Sequence, residues 1–139
     1  MTRVLHLDDD LAAAILQAAA RAYPNECCGL IEGEETDDGW RALTLHEGAN
    51  LADDPAHRFL LDPRVQFDTI RKLRGTGRRI LGCFHSHPDG SPRPSATDRA
   101  EAYESGFLYL IAAGSPDAGF TLGAHVFSES DGFAPVALP

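Results

Sequence analysis

The sequence predicts an α/β (α+β) domain in which helices flank a single mixed β-sheet, and three observations carry that expectation. Apolar runs of strand length, such as Arg79-Ile80-Leu81-Gly82-Cys83-Phe84 and Phe107 to Ala113, recur between turn signals. Segments of helical periodicity stand between them: Leu11, Ala14, Ile15, Ala18 and Ala22 fall at i, i+3, i+4 spacing, so one stripe packs on a sheet. The 139 residues suffice for one hydrophobic core without disulfide or metal staples, so residues 1–139 are expected to form a single domain.

In chain order, Val4 to Leu7 reads as a short strand, and Asp8 or Asp9 can cap the helix that follows. Pro24 and Asn25 end that helix, and Glu26 to Ile31 reads as a strand that begins at an acid. Glu34 to Gly39 is polar enough for a turn, with Trp40 to Leu45 as the return strand of a hairpin. After a loop from Asn50 to Ala56, His57 to Leu61 reads as another strand. Asp62-Pro63 is a cap followed by proline at the first helical position. The helix it starts turns Val65, Ile70 and Leu73 inward and Arg71, Lys72 and Arg74 outward, and it ends near Gly75 or Gly77. The basic cluster Arg71 to Arg79 reads as capping and solvation, with a docking patch for an acidic partner as the alternative. A short helix from Thr97 to about Ser105, stopped by Gly106, leads into the strand Phe107 to Ala113. Phe120 to Ser128 is a further strand, interrupted at Gly123, and Ala134 to Leu138 is a peripheral one because it contains Pro135.

Charge and composition exclude several classes of function. Lys+Arg 12 against Asp+Glu 21 gives a net charge of −9, which is wrong for neutralising phosphates, so no nucleic-acid partner is expected. No apolar run approaches the roughly 20 residues that span a bilayer, and Met1-Thr2-Arg3-Val4 lacks the apolar stretch of a signal peptide. A cytoplasmic protein without a membrane partner is therefore expected. Cys27, Cys28 and Cys83 are odd in number and form no C-x-x-C, so they read as small buried hydrophobes. His6, His46, His57 and His125 read as surface or hydrogen-bonded filler.

One stretch concentrates the chemistry: His85-Ser86-His87-Pro88-Asp89-Gly90-Ser91-Pro92-Arg93-Pro94-Ser95-Ala96-Thr97-Asp98. At the end of a strand, His85 and His87 project to the same face with Cα atoms about 6.6 Å apart, while Ser86 points to the other. Two imidazoles so placed can converge on one ion at about 2.0–2.1 Å. Pro88 stops the ladder, and the Gly- and Pro-rich run is a stiffened loop. Ser95 is an N-cap with Asp98 three residues on, so the loop turns into a helix whose first turn carries a carboxylate. Read apart, each piece has a bland explanation. Joined, two imidazoles and one carboxylate leave a fourth tetrahedral position open, the mark of a catalytic rather than a structural zinc site.

The pattern H-x-H-P-x6-S-x-x-D resembles that of the JAMM (MPN+) zinc metallopeptidases, whose motif also has a glutamate upstream. Here the upstream part is Tyr23-Pro24-Asn25-Glu26-Cys27-Cys28-Gly29-Leu30-Ile31, similar to the family's P-x-E-x-C-G-L segment. The Asn50 region, Arg58 to Pro63 and Phe107 to Ala113 are similar as well. The resemblance implies the cytidine-deaminase-like MPN/JAMM fold and a single catalytic domain holding one Zn2+ per chain. It also implies His85, His87 and Asp98 as ligands, Glu26 as general acid/base and Ser95 as the residue that helps hold the oxyanion. The implied reaction is hydrolysis of an amide or isopeptide bond without a covalent intermediate. The implied partner is a ubiquitin-like or sulfur-carrier protein cut after its C-terminal Gly-Gly, with a homodimer among the assemblies left open. Three other readings stand beside it: a metallo-β-lactamase-like hydrolase, which Gly90 and the short chain disfavour; a catalytically silent MPN-type scaffold; and a JAMM domain with a non-peptidase role.

Overall fold

A computed structural model describes residues 2–88, 90–102 and 104–139; Asp89 of the expected tight loop and Tyr103 of the expected third helix lie outside the described residues. The elements are β1 (Val4–His6), α1 (Asp9–Ala22), β2 (Cys28–Thr36), β3 (Gly39–Gly48), α2 (Pro63–Leu73), β4 (Arg79–Pro88), α3 (Ala96–Glu101), β5 (Leu108–Ser115), β6 (Gly119–Ser128) and β7 (Gly132–Val136). The strands form one mixed sheet in the order β1-β3-β2-β4-β5-β6-β7. Only the β1–β3 and β4–β5 pairs are parallel. The sheet curls until its ends meet: Ala137 N donates to Arg3 O and Leu5 N to Ala137 O, both at 2.9 Å.

Of the predicted stripe of α1, Ile15 and Ala18 are buried in one core with Leu5, Ile31, Trp40, Phe84 and Leu110, joined by Ala19, which the stripe left out, while Ala14 is exposed. Fully burying each of the larger aliphatic side chains contributes about 1.5–3 kcal/mol, and the small alanine side chains let the helix axis come close. All three cysteines are buried and free, as small hydrophobes would be. β4, with partners on both sides, is an interior strand, and this places the His85 end in the middle of the sheet. Among the described residues no helix is long and apolar enough to cross a membrane.

Several elements differ from the sequence reading. β2 starts at Cys28 rather than Glu26, because Glu26 N donates to Pro55 O at 2.8 Å and Cys27 N to Ser86 Oγ at 2.8 Å, so neither amide joins a ladder. The expected turn over Glu34 to Gly39 shrinks to Asp37-Asp38: β2 runs on to Thr36, with Glu34 opposite Arg41 in the ladder and Glu35 ion-paired with Arg79, and β3 extends from Gly39 to Gly48. Residues 57–61 form no strand. Pairing with the 50-region stops at one bridge, Asn50 to Leu61, with Leu51 N donating to Leu60 O, while the Asn50 side chain takes Arg58 O and Leu60 N.

In α2 it is Thr69, not Ile70, that turns inward between Val65 and Leu73, and Ile70 is 43% exposed. Thr69 can be buried because its hydroxyl donates to Val65 O at 2.7 Å. α3 stops at Glu101 instead of Ser105, so Gly106 does not end it; Gly106, at φ +87°, lies in the turn before β5 and donates to Phe127 O. Gly123 does not interrupt β6, whose ladder to β5 is continuous. A Cβ at Gly123 would sit 2.2 Å from Pro92 O, so the bare position is where the loop after His87 rests on the sheet. β7 is last in the strand order, as Pro135 suggested, but Ala137 just beyond it is bonded to the β1 end.

Candidate metal centre

Strand geometry sets the first two corners. His85 and His87 lie two residues apart on β4, share a face, and bring their Nε2 atoms to 3.0 Å from each other. The third corner comes from α3. Asp98 Oδ2 is 3.2 Å from His85 Nε2 and 3.1 Å from His87 Nε2. The three atoms form a nearly equilateral triangle. Ligands held tetrahedrally at about 2.0–2.1 Å stand about 3.3–3.4 Å apart, so the triangle has the size of one face of a zinc tetrahedron.

The surroundings suit a cation. His87 Nδ1 lies 2.9 Å from Ser91 O, so its ring N–H points there and its Nε2 lone pair faces inward. His85 is fully buried, with Phe59 stacked on it at 4.5 Å between centroids and Tyr109 edge-on at 6.3 Å. Burial holds its pKa below the usual value, which keeps the ring neutral. Burial acts against an ionised Asp98, yet the hydrogen bonds with His85 and His87 outweigh it and hold its carboxyl well below the usual carboxylate range. Burial works against a charged His87, but its hydrogen bonds with Asp98 and Ser91 outweigh that and raise its pKa. An inward lone pair beside a carboxylate oxygen repels it unless a proton or a cation lies between them, so two imidazoles and a carboxylate fit a divalent ion that takes the proton's place.

Asp98 owes its position to a capping box. Ser95 Oγ accepts from Asp98 N at 3.0 Å, and Ser95 N donates at 2.8 Å to Oδ2, the oxygen that faces the histidines. Capping the helix and aiming the carboxylate are thus one arrangement. The Ser95 hydroxyl accepts in this box and keeps its own proton free to donate elsewhere.

Glu26 is 5% exposed, and one of its carboxylate oxygens lies within 4.8 Å of the nitrogens of His85 and His87. A second trio, Glu26 with the two histidines, can therefore be drawn. The set with Asp98 is held at hydrogen-bond distance to both histidines, whereas Glu26 lies within 4.8 Å of them without a hydrogen bond to either. Burial pushes the Glu26 carboxyl up to about 7, partly countered by His87, so it can gain and lose a proton near neutral pH. The structure thus brings together all five residues singled out in the sequence. Glu26, His87 and Ser95 line one cavity of about 240 Å³, shared with His57 and Arg93.

Two supporting residues were not given a role in the sequence reading. Asn50, placed there only in a loop, donates from Nδ2 to Glu26 O and Arg58 O, both at 3.1 Å, and accepts at Oδ1 from Ala52 N and Leu60 N, both at 3.0 Å. Ser86 points away from the triangle, as its position predicts, and its hydroxyl holds Cys27 N. Glu26 is therefore fixed through its main chain. Asn50→Ala is expected to cost about 2–4 kcal/mol, since several hydrogen bonds worth about 0.5–1.5 kcal/mol each go at once. Amide hydrogen exchange should accelerate at Ala52 and Leu60; unchanged protection there would remove Asn50 from this role.

Comparison with known proteins follows the geometry. The profile of a family described as prokaryotic homologs of the JAB domain matches residues 8–124. The chain is 34% identical over 113 residues to a desampylase of Haloferax volcanii, covering 81% of this chain and 78% of that protein. It is 33% identical over 106 residues to a probable metalloprotease of the same organism, covering 73% and 60%. Identity to a CysO-cysteine peptidase of Mycobacterium tuberculosis is 27% over 110 residues, covering 79% and 73%. Among solved structures, protein DSY2949 of Desulfitobacterium hafniense superposes with a TM-score of 0.81 at 30% identity, over 98% of this chain and 93% of that one. The JAB1/MPN domain protein AF2198 of Archaeoglobus fulgidus, at 19% identity and a TM-score of 0.53 over 99% and 98%, shares the fold.

Proposed function

The chain belongs to the prokaryotic homologs of the JAB domain, the small JAMM/MPN family, and on that premise we propose that it is a zinc-dependent hydrolase of amide or isopeptide bonds. Its substrate is a ubiquitin-like or sulfur-carrier protein cut after the C-terminal Gly-Gly, and residues 1–139 act as one catalytic domain. The observation that carries this reading is the triangle of His85 Nε2, His87 Nε2 and Asp98 Oδ2, with edges of 3.0–3.2 Å and the Glu26 carboxylate beside it. The relatives' names point the same way: desampylase, metalloprotease and CysO-cysteine peptidase.

His85, His87 and Asp98 hold one Zn2+. A zinc ion held there would supply Lewis acidity toward water and the scissile carbonyl. Glu26 takes the proton of the attacking water and returns it to the leaving amine, work usually worth about 10²–10⁴-fold. A carboxyl poised near 7 can do both within one cycle. The Ser95 hydroxyl proton, unused in the capping box, faces the oxyanion.

The carrier's tail has a built path. Arg58 and Leu60 turn their main-chain groups to Asn50, while among the described residues the N–H and C=O of Phe59 between them make no hydrogen bond. An extended Gly-Gly tail can pair there beside His85, on which Phe59 stacks. The test is to incubate the zinc form with ubiquitin-fold carriers extended past Gly-Gly and to look for cleavage by mass. Intact carriers after prolonged incubation would remove the reading.

Ser95→Asp separates capping from chemistry. Aspartate caps a helix as well as serine does, but when ionised it has no proton to donate. The variant is expected to fold and hold zinc while losing about 10²–10³-fold in turnover. Near-normal turnover would confine Ser95 to the capping box.

A further inference from the structure

The active cavity holds two charged side chains to which the proposed chemistry gives no task, Arg93 and His57. Arg41, Lys72, Arg74 and Arg93 are the basic residues without an ion pair, hydrogen bond or aromatic partner among the described residues, and of these only Arg93 shares a cavity with Glu26 and His87. In a chain of net charge −9, Arg21, Arg58, Arg64, Arg78 and Arg79 each pair with a carboxylate, and Arg3 and Arg99 lie over aromatic rings. Among the described residues Arg93 makes no ion pair and no hydrogen bond, and it lies exposed at the cavity wall.

Its backbone is nonetheless stiff. Pro92 and Pro94 flank it with φ fixed near about −65°; Pro94 is buried, and Pro92 rests against the bare Gly123 of β6. Ser91, one residue further back, accepts from His87 Nδ1, so the segment that presents Arg93 is tied to the metal centre. His57, which lines the same cavity, is oriented by Asp54 at 3.0 Å, and that carboxylate raises its pKa. A guanidinium on a preorganised loop, with no internal partner, is built to receive a planar anion from outside.

Which part of the substrate carries that anion follows from the company Arg93 keeps. Glu26, which hands its proton to the leaving amine in the proposed reaction, lines the same cavity. The apolar groove of Phe59, Leu60 and Leu61, along which the acyl side is drawn, is a separate cavity of about 250 Å³ that Arg93 does not line. In a leaving amino acid the carboxylate is two bonds from the nitrogen that Glu26 protonates. An incoming carboxylate is repelled by Glu26, and Arg93 and His57 offset that repulsion.

Resting on the hydrolase reading above, we propose that Arg93, with His57 of the same cavity, forms a subsite for the free α-carboxylate of the leaving group. The favoured substrate is then a carrier whose Gly-Gly is followed by a single amino acid, rather than one joined to a lysine inside a folded protein.

The test uses a ubiquitin-fold sulfur carrier extended past Gly-Gly by one alanine, as the free acid and as the amide, with an aspartate amide as a third form. The wild-type zinc enzyme should prefer the acid to the amide by about tenfold or more in kcat/KM, mostly through KM. Arg93→Gln should bring that ratio close to one, and Arg93→Lys should keep part of it. Equal rates on acid and amide in the wild type, or a ratio untouched by Arg93→Gln, would overturn the subsite. Faster cleavage of the aspartate amide than of the alanine acid would overturn the α-carboxylate assignment in favour of a side-chain one. Affinities of zinc-loaded Glu26→Gln for the same three carriers keep the two readings apart. No cleavage by the wild-type zinc enzyme together with a preserved acid-to-amide affinity ratio in Glu26→Gln sinks the hydrolase reading and keeps the subsite; an affinity ratio of one in Glu26→Gln sinks the subsite whatever the wild-type turnover.

Discussion

Glu26→Gln is expected to yield a folded protein that retains its zinc and turns over about 10²-fold or more slowly. Glutamine has the size of glutamate and can donate and accept hydrogen bonds, but it cannot take a proton near neutral pH. The fold should not notice the change, because Glu26 is anchored by its main chain: N to Pro55 O, C=O from Asn50 Nδ2, and the next amide to Ser86 Oγ. The metal should not notice it either, since Glu26 stands outside the tight triangle. Elemental analysis and cleavage by mass measure the two halves of the expectation. Undiminished turnover would move the proton to another group.

His87→Ala is expected to abolish both zinc and activity. One imidazole and one carboxylate remain, too few for a structured protein zinc site, and zinc content should fall far below about one per chain. The side chain removed is nearly buried, so some stability goes with it. The fold should survive, because β4 keeps its partners on both sides and the lost atoms lie at its end. Stoichiometric zinc persisting in a His85→Ala/His87→Ala double variant would sink the assignment.

What the sequence made legible was local chemistry. Asp62-Pro63 starts α2, with the Asp62 side chain accepting from Arg64 N, and Ser95 caps α3 with Asp98 as its box partner. His85 and His87 share a face because a strand alternates, and that rule needs nothing from the rest of the chain. Glu26 looks like an ordinary polar residue by itself and became readable only through the motif some sixty residues later. The misread stretches are those where a distant group took over a local role. Residues 57–61 have strand composition, but the side chain of Asn50 takes Arg58 O and Leu60 N. Thr69 replaced Ile70 on the buried face because one residue of helical phase, about 100°, decides which side chain meets the sheet. Gly123 reads as a flaw in a strand until the loop resting on it is seen. Arg93 had no signal at all, since its meaning is the absence of a partner in space.

The three corners of the centre differ in stiffness. Two belong to β4, which is hydrogen-bonded to strands on both sides, and the third belongs to α3, six residues long. A helix of under two turns has little cohesion of its own, and this one is held by its capping box, by the Arg58–Glu101 ion pair and by Arg99 lying over Phe133. Opening of the stretch that carries Asp98 breaks the triangle while leaving the sheet intact, at a fraction of the free energy of global unfolding. In the proposed zinc form, ion exchange is expected to run on the clock of that local opening, so substitutions that raise the melting temperature by improving the core should leave the rate of metal loss unchanged.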